Sequence, residues 1–216
     1  MDVVIAGGHG QIARHLTTLL SARGDEVRGI IRDEGQAPDL TEDGARPVVL
    51  DLESASAGEM AEAIRGSDAV VFAAGAGPGS GAQRKETVDY GAAVKFIEAA
   101  RAVGARRYVM VSAIGIDHPP EGDDVFSVYQ RAKARADEAL MGSGLDWTVV
   151  RPGRLTDDPA TGRVAVARHV ARGEIPRSDV ADVLRAVLDE PRSMGSIFEV
   201  VGGDTPVDEA VASLLR

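Results

Sequence analysis

The sequence predicts an α/β fold built on a doubly wound parallel sheet. Strand-like and helix-like segments alternate along the 216 residues, as they do in sheets whose helices cover both faces. The first strand-like run leads directly into a glycine-rich turn and an amphipathic helix, which is a common beginning for such a sheet. No linker or repeat divides the chain, and its length suits one well-buried domain, residues 1–216.

Four strands and three helices are predicted in the first half of the chain. The opening β-branched run suits a buried parallel strand, and the leucines after it form one stripe of an amphipathic helix. A glycine follows each predicted helix as its natural stop, at Gly24, Gly66 and Gly104. Between the second and third strands we expect a polar loop. The predicted strands are Val3–Ile5, Glu26–Ile31, Pro47–Leu50 and Ala69–Ala73, and the helices are Gln11–Arg23, Glu59–Arg65 and Lys85–Val103.

The alternation continues in the second half of the chain and weakens after the sixth strand. A loop that contains Pro119 and Pro120 precedes the next helix. Residues 152–205 are expected to form a small lobe over the open edge of the sheet. The predicted strands are Arg107–Ser112, Trp147–Arg151, Arg163–Ala167 and Ile197–Val201, and the helices are Asp124–Met141, Asp179–Asp189 and a final one that ends at Arg216.

Composition restricts the class of protein. Hydrophobic residues make up 44% of the chain, no run approaches the ~20 apolar residues of a membrane span, and no basic segment precedes the first apolar run. The absence of cysteine excludes disulfides, thiolate metal sites and a cysteine nucleophile. The net charge of −10 argues against nucleic acid and anionic membranes as partners. We therefore expect a cytoplasmic protein that binds a small molecule.

The histidines and one group of arginines give weaker signals. None of the four histidines has a second ligand at metal-binding spacing, so no metal site is predicted. Residues 151–177 hold six arginines against three acidic residues. This local excess of positive charge is compatible both with an anionic ligand and with an ordinary solvated face.

The turn after the first strand is the main functional signal. Gly7, Gly8 and Gly10 lie between a strand and the N-terminus of a helix. Glycines let the backbone approach a ligand, and the free N–H groups of a helix start favour an anion, so this arrangement predicts a pyrophosphate site. The alternative is an ordinary tight turn. The predicted cofactor-binding residues here are Gly7, Gly8, His9, Gly10, Gln11 and Ile12.

The end of the second strand predicts the choice of cofactor. In dinucleotide-binding sheets, an acidic residue ~20 positions beyond the glycines binds the ribose of NAD, whereas an arginine there favours NADP. Arg32 closes this strand and could hold a 2′-phosphate with its forked guanidinium group. Asp33 is the next residue and keeps NAD open as the alternative. We therefore predict NADP, with NAD as the second choice.

Tyr129 and Lys133 form a candidate acid–base pair on a predicted helix. Residues four apart lie on the same helix face, and the ammonium group is expected to lower the pKa of the phenol from ~10 toward neutrality. Such a phenol can exchange a proton with a carbonyl oxygen. The alternative is an exposed helix contact without a catalytic role.

These motifs resemble those of the short-chain dehydrogenase/reductase superfamily. Gly7, Gly10 and Ala13 match the G-x-x-G-x-x-A/G turn of its atypical branch of compact NAD(P)H-binding proteins, which includes NmrA-like and biliverdin/flavin-reductase-like members. The resemblance covers essentially the whole chain. It implies a Rossmann-type sheet, a small C-terminal substrate lobe formed by residues 152–205, and an NAD(P) cofactor.

The resemblance also implies roles for further residues. Asp51 resembles an aspartate that contacts the adenine, although it is equally explained as a carboxylate that caps the end of a strand. Pro152 and Gly153 belong to an R-P-G sequence whose backbone lies against the nicotinamide, where glycine leaves room for the ring. The implied catalytic residues are Ser112, Tyr129 and Lys133, and the implied cofactor contacts beyond the turn are Arg32, Asp51, Leu52, Ala73, Ala74, Gly75, Lys133, Pro152 and Gly153.

The predicted function is the NAD(P)H-dependent reduction of a small carbonyl compound or another conjugated electrophile. Ser112 would hydrogen-bond the substrate oxygen. Since Ser112 and Tyr129 are 17 positions apart, the loop between them has to fold back to bring both hydroxyls together. The helix asparagine of the superfamily has no counterpart, since Asp89 and Tyr90 occupy that region. Two alternatives remain: a dinucleotide-binding sensor that regulates a partner protein, and an NAD(P)-assisted sugar epimerase or isomerase. The short region after Gly153 argues against the epimerase.

Overall fold

The computed structural model describes residues 1–77 and 79–214, and its strands and helices alternate as predicted. The strands are β1 (Asp2–Ala6), β2 (Glu26–Ile31), β3 (Arg46–Val49), β4 (Ala69–Phe72), β5 (Arg107–Val111), β6 (Asp146–Pro152), β7 (Arg154–Thr156), β8 (Arg163–Ala167), β9 (Glu174–Pro176), β10 (Ser196–Gly202) and β11 (Thr205–Pro206). The α-helices are α1 (Gln11–Ala22), α2 (Ala37–Glu42), α3 (Ala57–Ile64), α4 (Ala82–Arg84), α5 (Ala93–Val103), α6 (Val125–Met141), α7 (Arg177–Asp189) and α8 (Val207–Ser213).

Among the described residues, nine strands form one sheet in the order β11-β8-β10-β6-β5-β4-β1-β2-β3. The strands from β3 to β10 in this order are parallel to one another, whereas β8 pairs with its neighbours antiparallel. The order of the first six strands is that of a doubly wound sheet, so the predicted fold class is confirmed. A crevice opens at the carboxyl ends of β1 and β4, where the winding direction reverses, and ligands usually bind at this point.

The sheet is covered on both faces by apolar side chains. Val3 and Ile5 of β1 face one hydrophobic core, which also contains buried residues of α1, α7 and α8. Val4 and Ala6 face the other core, with buried residues of α3, α5 and α6. Because both faces of β1 are covered, the strand is apolar at successive positions. The turn that follows β1 is therefore fixed by a deeply buried strand.

Between β2 and β3 the structure contains a short helix, so the expectation of a polar loop is wrong. α2 packs Leu40, which is 1% exposed, against β2. Gly29 leaves the room for this contact, because a Cβ at that position would collide with Leu40 Cδ2. A helix of 6 residues with one buried side chain is too short to show a helical apolar period in the sequence.

The helix predicted at Lys85–Val103 begins earlier, at Ala82, and its first half is not an α-helix. A π-helical segment, Lys85–Ala92, lies between α4 and α5. Such wider turns are rare and occur often at functional sites. Apolar spacing does not reveal this segment, because 8 residues are too few to show a period that differs from that of the α-helix.

Residues 152–205 stand apart from the main sheet only in part. β10 pairs in parallel with β6, and β8 returns antiparallel beside β10, so both extend the sheet. β7 and β9 form a separate pair of short parallel strands. The section of this segment that is distinct from the sheet is therefore the β7–β9 pair with its connecting loops.

The last helix, α8, follows β11 directly and buries Val207 and Val211 in the core on the α1 face. The helix ends at Ser213, before the predicted end at Arg216, and residues 215 and 216 lie outside the described residues. In the part of the chain that the structure describes, no helix combines the length and the apolar content needed to cross a membrane.

Candidate functional site

A cleft of about 420 Å³ opens at the carboxyl ends of β1 and β4. One wall is the glycine turn after β1. Gly7 has a φ of +80°, and a Cβ there would lie 2.7 Å from Ala74 Cα, so glycine is needed for this close approach. A Cβ at Gly10 would meet only Gly7 O, at 3.2 Å. Gly10 therefore borders open space in the cleft, where a ligand can approach the backbone.

The first helix begins in this cleft without a capping side chain. Gly10 is its N-cap residue, and the first turn contains no acidic residue. The backbone N–H groups of Gln11, Ile12 and Ala13 have no hydrogen-bond partner among the described residues. Three free N–H groups at the positive end of a helix dipole suit a pyrophosphate. The residues present thus fit a dinucleotide cofactor.

Arg32 and Asp33 differ in their relation to the cleft. Arg32 is exposed and lines the cleft, and no carboxylate pairs with it among the described residues. Asp33 is not part of the lining, and its carboxylate accepts a hydrogen bond from Gly35 N at 2.9 Å. The arginine is available for an anionic ligand, whereas the aspartate is occupied by its own turn.

Most of the predicted cofactor residues line this cleft or the cavity beside it. Asp51 does so while accepting hydrogen bonds from Glu53 N and Ser54 Oγ, both at 3.0 Å. Its carboxylate therefore caps a turn at the rim of the cleft, in agreement with the second of its two predicted roles. The predicted residues in the two linings are Gly7, His9, Gly10, Ile12, Arg32, Asp51, Leu52, Ala73, Ala74, Gly75, Lys133 and Pro152.

Gly8, Gln11 and Gly153 are not in either lining. A Cβ at Gly8 would lie 2.8 Å from Gly29 Cα, so this glycine lets the turn cross β2. A Cβ at Gly153 would lie 2.5 Å from Gly173 O and 2.7 Å from a methyl group of Val201. Protein atoms therefore fill the space where a side chain of residue 153 would lie, while the predicted contact of the Gly153 backbone with the nicotinamide stays a prediction.

A second cavity, of about 520 Å³, continues from the cleft. Residues 73–75 and Gly77 are common to the linings of both spaces. Ser112, Tyr129 and Lys133 all line this second cavity. The loop between β5 and α6 therefore folds back as expected and brings the three candidate catalytic residues to one space. A dinucleotide that extends from the cleft past residues 73–75 would reach Ser112, Tyr129 and Lys133.

Lys133 is held in a buried ion pair. Its side chain is 6% exposed, and Nζ lies 3.5 Å from Oδ1 of Asp89, which is 1% exposed. Nζ also donates a hydrogen bond to Val111 O at 3.2 Å. Burial is the largest single effect and would lower the pKa of Lys133, but the negative charges of Asp89, Tyr129 and Asp137 together with the hydrogen bond to Asp89 outweigh it, and the pKa is raised. The ammonium group therefore stays charged in the cavity wall.

The pKa of Tyr129 is raised, so the predicted shift toward neutrality is wrong. Burial of the phenol is the main cause. Lys133 opposes it, but the negative charges of Asp89 and Asp137 act in the same direction as burial. The spacing in the sequence identifies the lysine but not its aspartate partner. The phenol remains protonated at neutral pH, a state suited to donating a proton.

Ser112 presents a buried hydroxyl group at the end of β5. The residue is 4% exposed, and Oγ has no hydrogen-bond partner among the described residues. The backbone N of Ser112 donates to Val150 O at 2.8 Å, which fixes the residue at the carboxyl end of β5. The hydroxyl acts on the Asp137 carboxylate and opposes the rise in the pKa of Asp137 that burial causes. A ligand oxygen would be a further partner for this buried hydroxyl.

Three of the six arginines of residues 151–177 pair with neighbouring carboxylates among the described residues. Arg151, 4% exposed, lies 2.9 Å from Asp137 and 2.6 Å from Asp117. Arg154 and Arg177 also pair with acidic neighbours. Of the two interpretations of this segment, the structure therefore favours ordinary ion pairs over a collected anion site. Arg151 ties α6 to β6, one helical turn from Lys133.

Three residues of the second cavity did not emerge from the sequence. Asp89 lies in the π-helical segment and accepts a hydrogen bond from Ala76 N at 3.2 Å, so it connects the shared wall to Lys133. Its position in the region of the superfamily asparagine was the available signal. Lys85 and Phe126 also line the cavity, and no motif marks either of them.

Comparison with known proteins agrees with this arrangement. A family model described as NAD(P)H-binding matches residues 7–191. A Bacillus subtilis protein named Uncharacterized sugar epimerase YhfK is 39% identical over 215 residues, which cover 99% of this chain and 100% of the relative.

Two solved structures are similar over their whole length. A putative NAD-dependent epimerase/dehydratase from Bacillus halodurans has a TM-score of 0.93 at 39% identity, with 99% of this chain and 100% of that chain covered. The oxidoreductase ylbE from Lactococcus lactis has a TM-score of 0.88 at 29% identity, with 100% and 97% covered. The names of the relatives thus include both an oxidoreductase and epimerases.

Proposed function

Because the chain belongs to the NAD(P)H-binding family, we propose that it is an NAD(P)H-dependent oxidoreductase that reduces a small carbonyl compound or another conjugated electrophile. The observation that carries the proposal is the convergence of Ser112, Tyr129 and Lys133 on the cavity that continues from the cofactor cleft. A protein that only senses its cofactor does not need these three groups around a further empty space.

The cofactor would lie with its pyrophosphate at the free N–H groups of α1 and its adenosine end in the cleft lined by Arg32 and Asp51. When bound, NAD(P)H supplies a hydride to the substrate. We propose NADP over NAD, because Arg32 is available in the cleft while Asp33 is engaged by Gly35 N.

Ser112, Tyr129 and Lys133 each have a separate role in the proposed reduction. The Ser112 hydroxyl donates a hydrogen bond to the substrate oxygen and orients it. Tyr129, protonated because its pKa is raised, donates its proton to that oxygen as negative charge develops there. Lys133 keeps its charge, which stabilises the phenolate left behind, and it would also hold the nicotinamide ribose.

An epimerase is the second candidate, because the names of two relatives carry that activity. An epimerase of this type begins by oxidising its substrate, for which Tyr129 has to act as a base. The raised pKa of Tyr129 disfavours that role at neutral pH. Reduction consumes NAD(P)H in proportion to product, whereas epimerisation regenerates the cofactor, so cofactor stoichiometry separates the two.

The partners and location proposed here follow from the charge and composition of the chain. A net charge of −10 disfavours nucleic acid and anionic membranes, so the proposed partner is a small-molecule substrate. We propose a cytoplasmic location and a monomer or homodimer.

Substitution of Tyr129 tests the proposed function. Wild type is first assayed for NAD(P)H consumption with carbonyls, quinones and flavins. Tyr129→Phe should lose ~10²–10⁴-fold in turnover while its cofactor affinity stays unchanged, because only the proton is removed. Lys133→Met should lower both turnover and cofactor affinity.

Tyr90→Phe is the matched control, because the Tyr90 ring lies under the Arg135 guanidinium group and outside the cavity lining. It should retain full turnover. Full turnover in Tyr129→Phe would remove Tyr129 from the mechanism. Cofactor binding without turnover of any substrate would favour the sensor.

A further inference from the structure

Lys85 places a second positive charge at the proposed substrate cavity. It begins the π-helical segment, and Nζ lies 5.3 Å from the centre of the Tyr129 ring. Nζ also donates a hydrogen bond to Gly77 O at 2.9 Å, in the wall shared with the cofactor cleft. These contacts hold the ammonium group beside the phenol that would donate the proton.

The charge of Lys85 has no counterpart in the cavity. The charged side chains of the lining are Lys85, Lys133 and Asp89, and the last two form the buried ion pair. No carboxylate pairs with Lys85 among the described residues, in a chain whose net charge is −10. The lining therefore contains two positive charges and one negative charge. The charge of Lys85 is the one that no carboxylate of the lining balances.

The start of α6 does not offer a competing site for an anion. The Asp124 carboxylate accepts hydrogen bonds from the backbone N–H groups of Phe126 and Ser127, at 3.1 and 3.0 Å. The free donors at this helix end are thus reduced, and its own carboxylate opposes a second negative group. An anionic substrate in this cavity would therefore pair with the ammonium group of Lys85.

The same end of the cavity carries an exposed aromatic surface. Phe126 is 64% exposed and Val125 is 44% exposed, and both line the cavity. The Phe126 ring stacks on Tyr129 with 6.2 Å between centroids and 29° between planes. A flat conjugated ligand would cover this apolar surface, which water otherwise contacts.

We propose that the substrate is an aromatic or conjugated carbonyl compound that carries a carboxylate, and that Lys85 recognises the carboxylate. This inference rests on the proposed function, since it names the substrate class of the same cavity. Lys85 exchanges its hydrogen bond with Gly77 O for one with the carboxylate, which itself undergoes no chemical change. The conjugated part of the substrate lies against Phe126, and the carbonyl oxygen meets Ser112 and Tyr129.

Binding of a matched pair of aldehydes to the cofactor-loaded protein tests the proposal. The probes are 4-formylbenzoate and its uncharged methyl ester, titrated into protein saturated with the oxidised form of whichever cofactor binds more tightly. Oxidised cofactor prevents reduction during the titration. Wild type should bind the acid about tenfold more tightly than the ester, since a charge-assisted hydrogen bond contributes on that scale.

The variant Lys85→Gln should lose this preference and bind the ester as wild type does. Lys85→Arg should keep most of it. Arg101→Gln is the matched control, because it removes one positive charge from the exposed end of α5, away from the cavity, and should leave the preference intact.

Each outcome decides between the two proposals. Equal affinity of wild type for acid and ester, or no binding of either at millimolar concentration, overturns the assignment of the substrate class. If Lys85→Gln lowered the affinity for the cofactor as much as the affinity for the acid, Lys85 would instead be a cofactor contact. Failure of wild type to bind either cofactor would contradict the proposed function. Cofactor binding is therefore measured before the probes are added.

Discussion

Arg32 and Asp33 show how neighbouring residues with opposite charges can contribute very differently to one cleft. The arginine side chain lines the cleft, whereas the aspartate is turned into the cap of a short helical turn by Gly35 N. From the sequence both remain candidates for the ribose, because they are adjacent. The hydrogen bond between the Asp33 carboxylate and Gly35 N is a property of the folded turn, and the sequence alone does not reveal it.

Replacement of Arg32 with alanine should change the preference for the cofactor. The dissociation constant of NADPH should rise about tenfold or more, because a charge-assisted contact to the 2′-phosphate is lost, and that of NADH should stay nearly constant. Titration by cofactor fluorescence measures both. Arg46→Ala removes the same charge from the amino end of β3, the opposite end of the strands from the cleft, and should affect neither. Equal weakening of NADPH and NADH by Arg32→Ala would contradict the assignment.

The π-helical segment is the element that organises the proposed catalytic groups. It carries Asp89 into the ion pair with Lys133 of α6, and Asp89 also holds the glycine-rich wall through Ala76 N. Tyr129 is therefore influenced by a lysine and an aspartate together. The charged and titratable groups that act on its phenol are Lys133, Asp89, Asp137 and Lys85.

Asp89→Asn should move the alkaline limit of reductase activity to lower pH. Removal of the negative charge leaves Lys133 uncompensated, so the pKa of Tyr129 falls and the phenol loses its proton at lower pH. Wild type, with its raised pKa, should keep the donor form into the alkaline range. The pH profile of kcat/KM measures this limit, and Asp204→Asn, an exposed substitution far along the chain, provides the control. An unchanged profile in Asp89→Asn would show that Asp89 does not act on Tyr129.

At the scale of the whole molecule, tight packing joins the last third of the chain to the sheet. Gly153 follows β6 and donates to Val200 O of β10 at 2.8 Å, while Gly173 O occupies the space where its side chain would be. These neighbours come from segments distant in the sequence. They make position 153 sensitive to the smallest addition of volume.

Gly153→Ala should lower the free energy of unfolding by roughly 1–3 kcal/mol, the usual cost of overpacking a filled site. Gly58→Ala, on the exposed first turn of α3, is the matched control and should raise it by about 0.5–1 kcal/mol, because alanine favours the helix. Urea denaturation followed by circular dichroism measures both. A Gly153→Ala protein as stable as wild type would mean that the neighbouring loop moves without cost.

The sequence is sufficient to predict the features that depend on neighbouring residues. The glycine turn and the Tyr129–Lys133 spacing follow from local rules, and so do the strands whose apolar runs are continuous. The ion pair of Asp89 and the true environment of Gly153 depend on contacts between distant segments. The predicted direction of the pKa shift of Tyr129 was wrong for the same reason. The direction depends on burial and on Asp89, which lies 40 positions earlier in the chain.

The buried pair of Lys133 and Asp89 has a consequence for how this chain can vary. Two charges removed from water cost free energy that their attraction only partly recovers, and a well-packed apolar pair of similar volume is often as stable or more so. If selection acted on folding alone, joint substitution of both residues by apolar ones would be tolerated. Substitution of only one would not be, since a single buried charge without its partner is strongly unfavourable. Persistence of both charges would therefore mark a requirement of chemistry, and their joint loss in a relative would mark a protein that has kept the fold and given up the reaction.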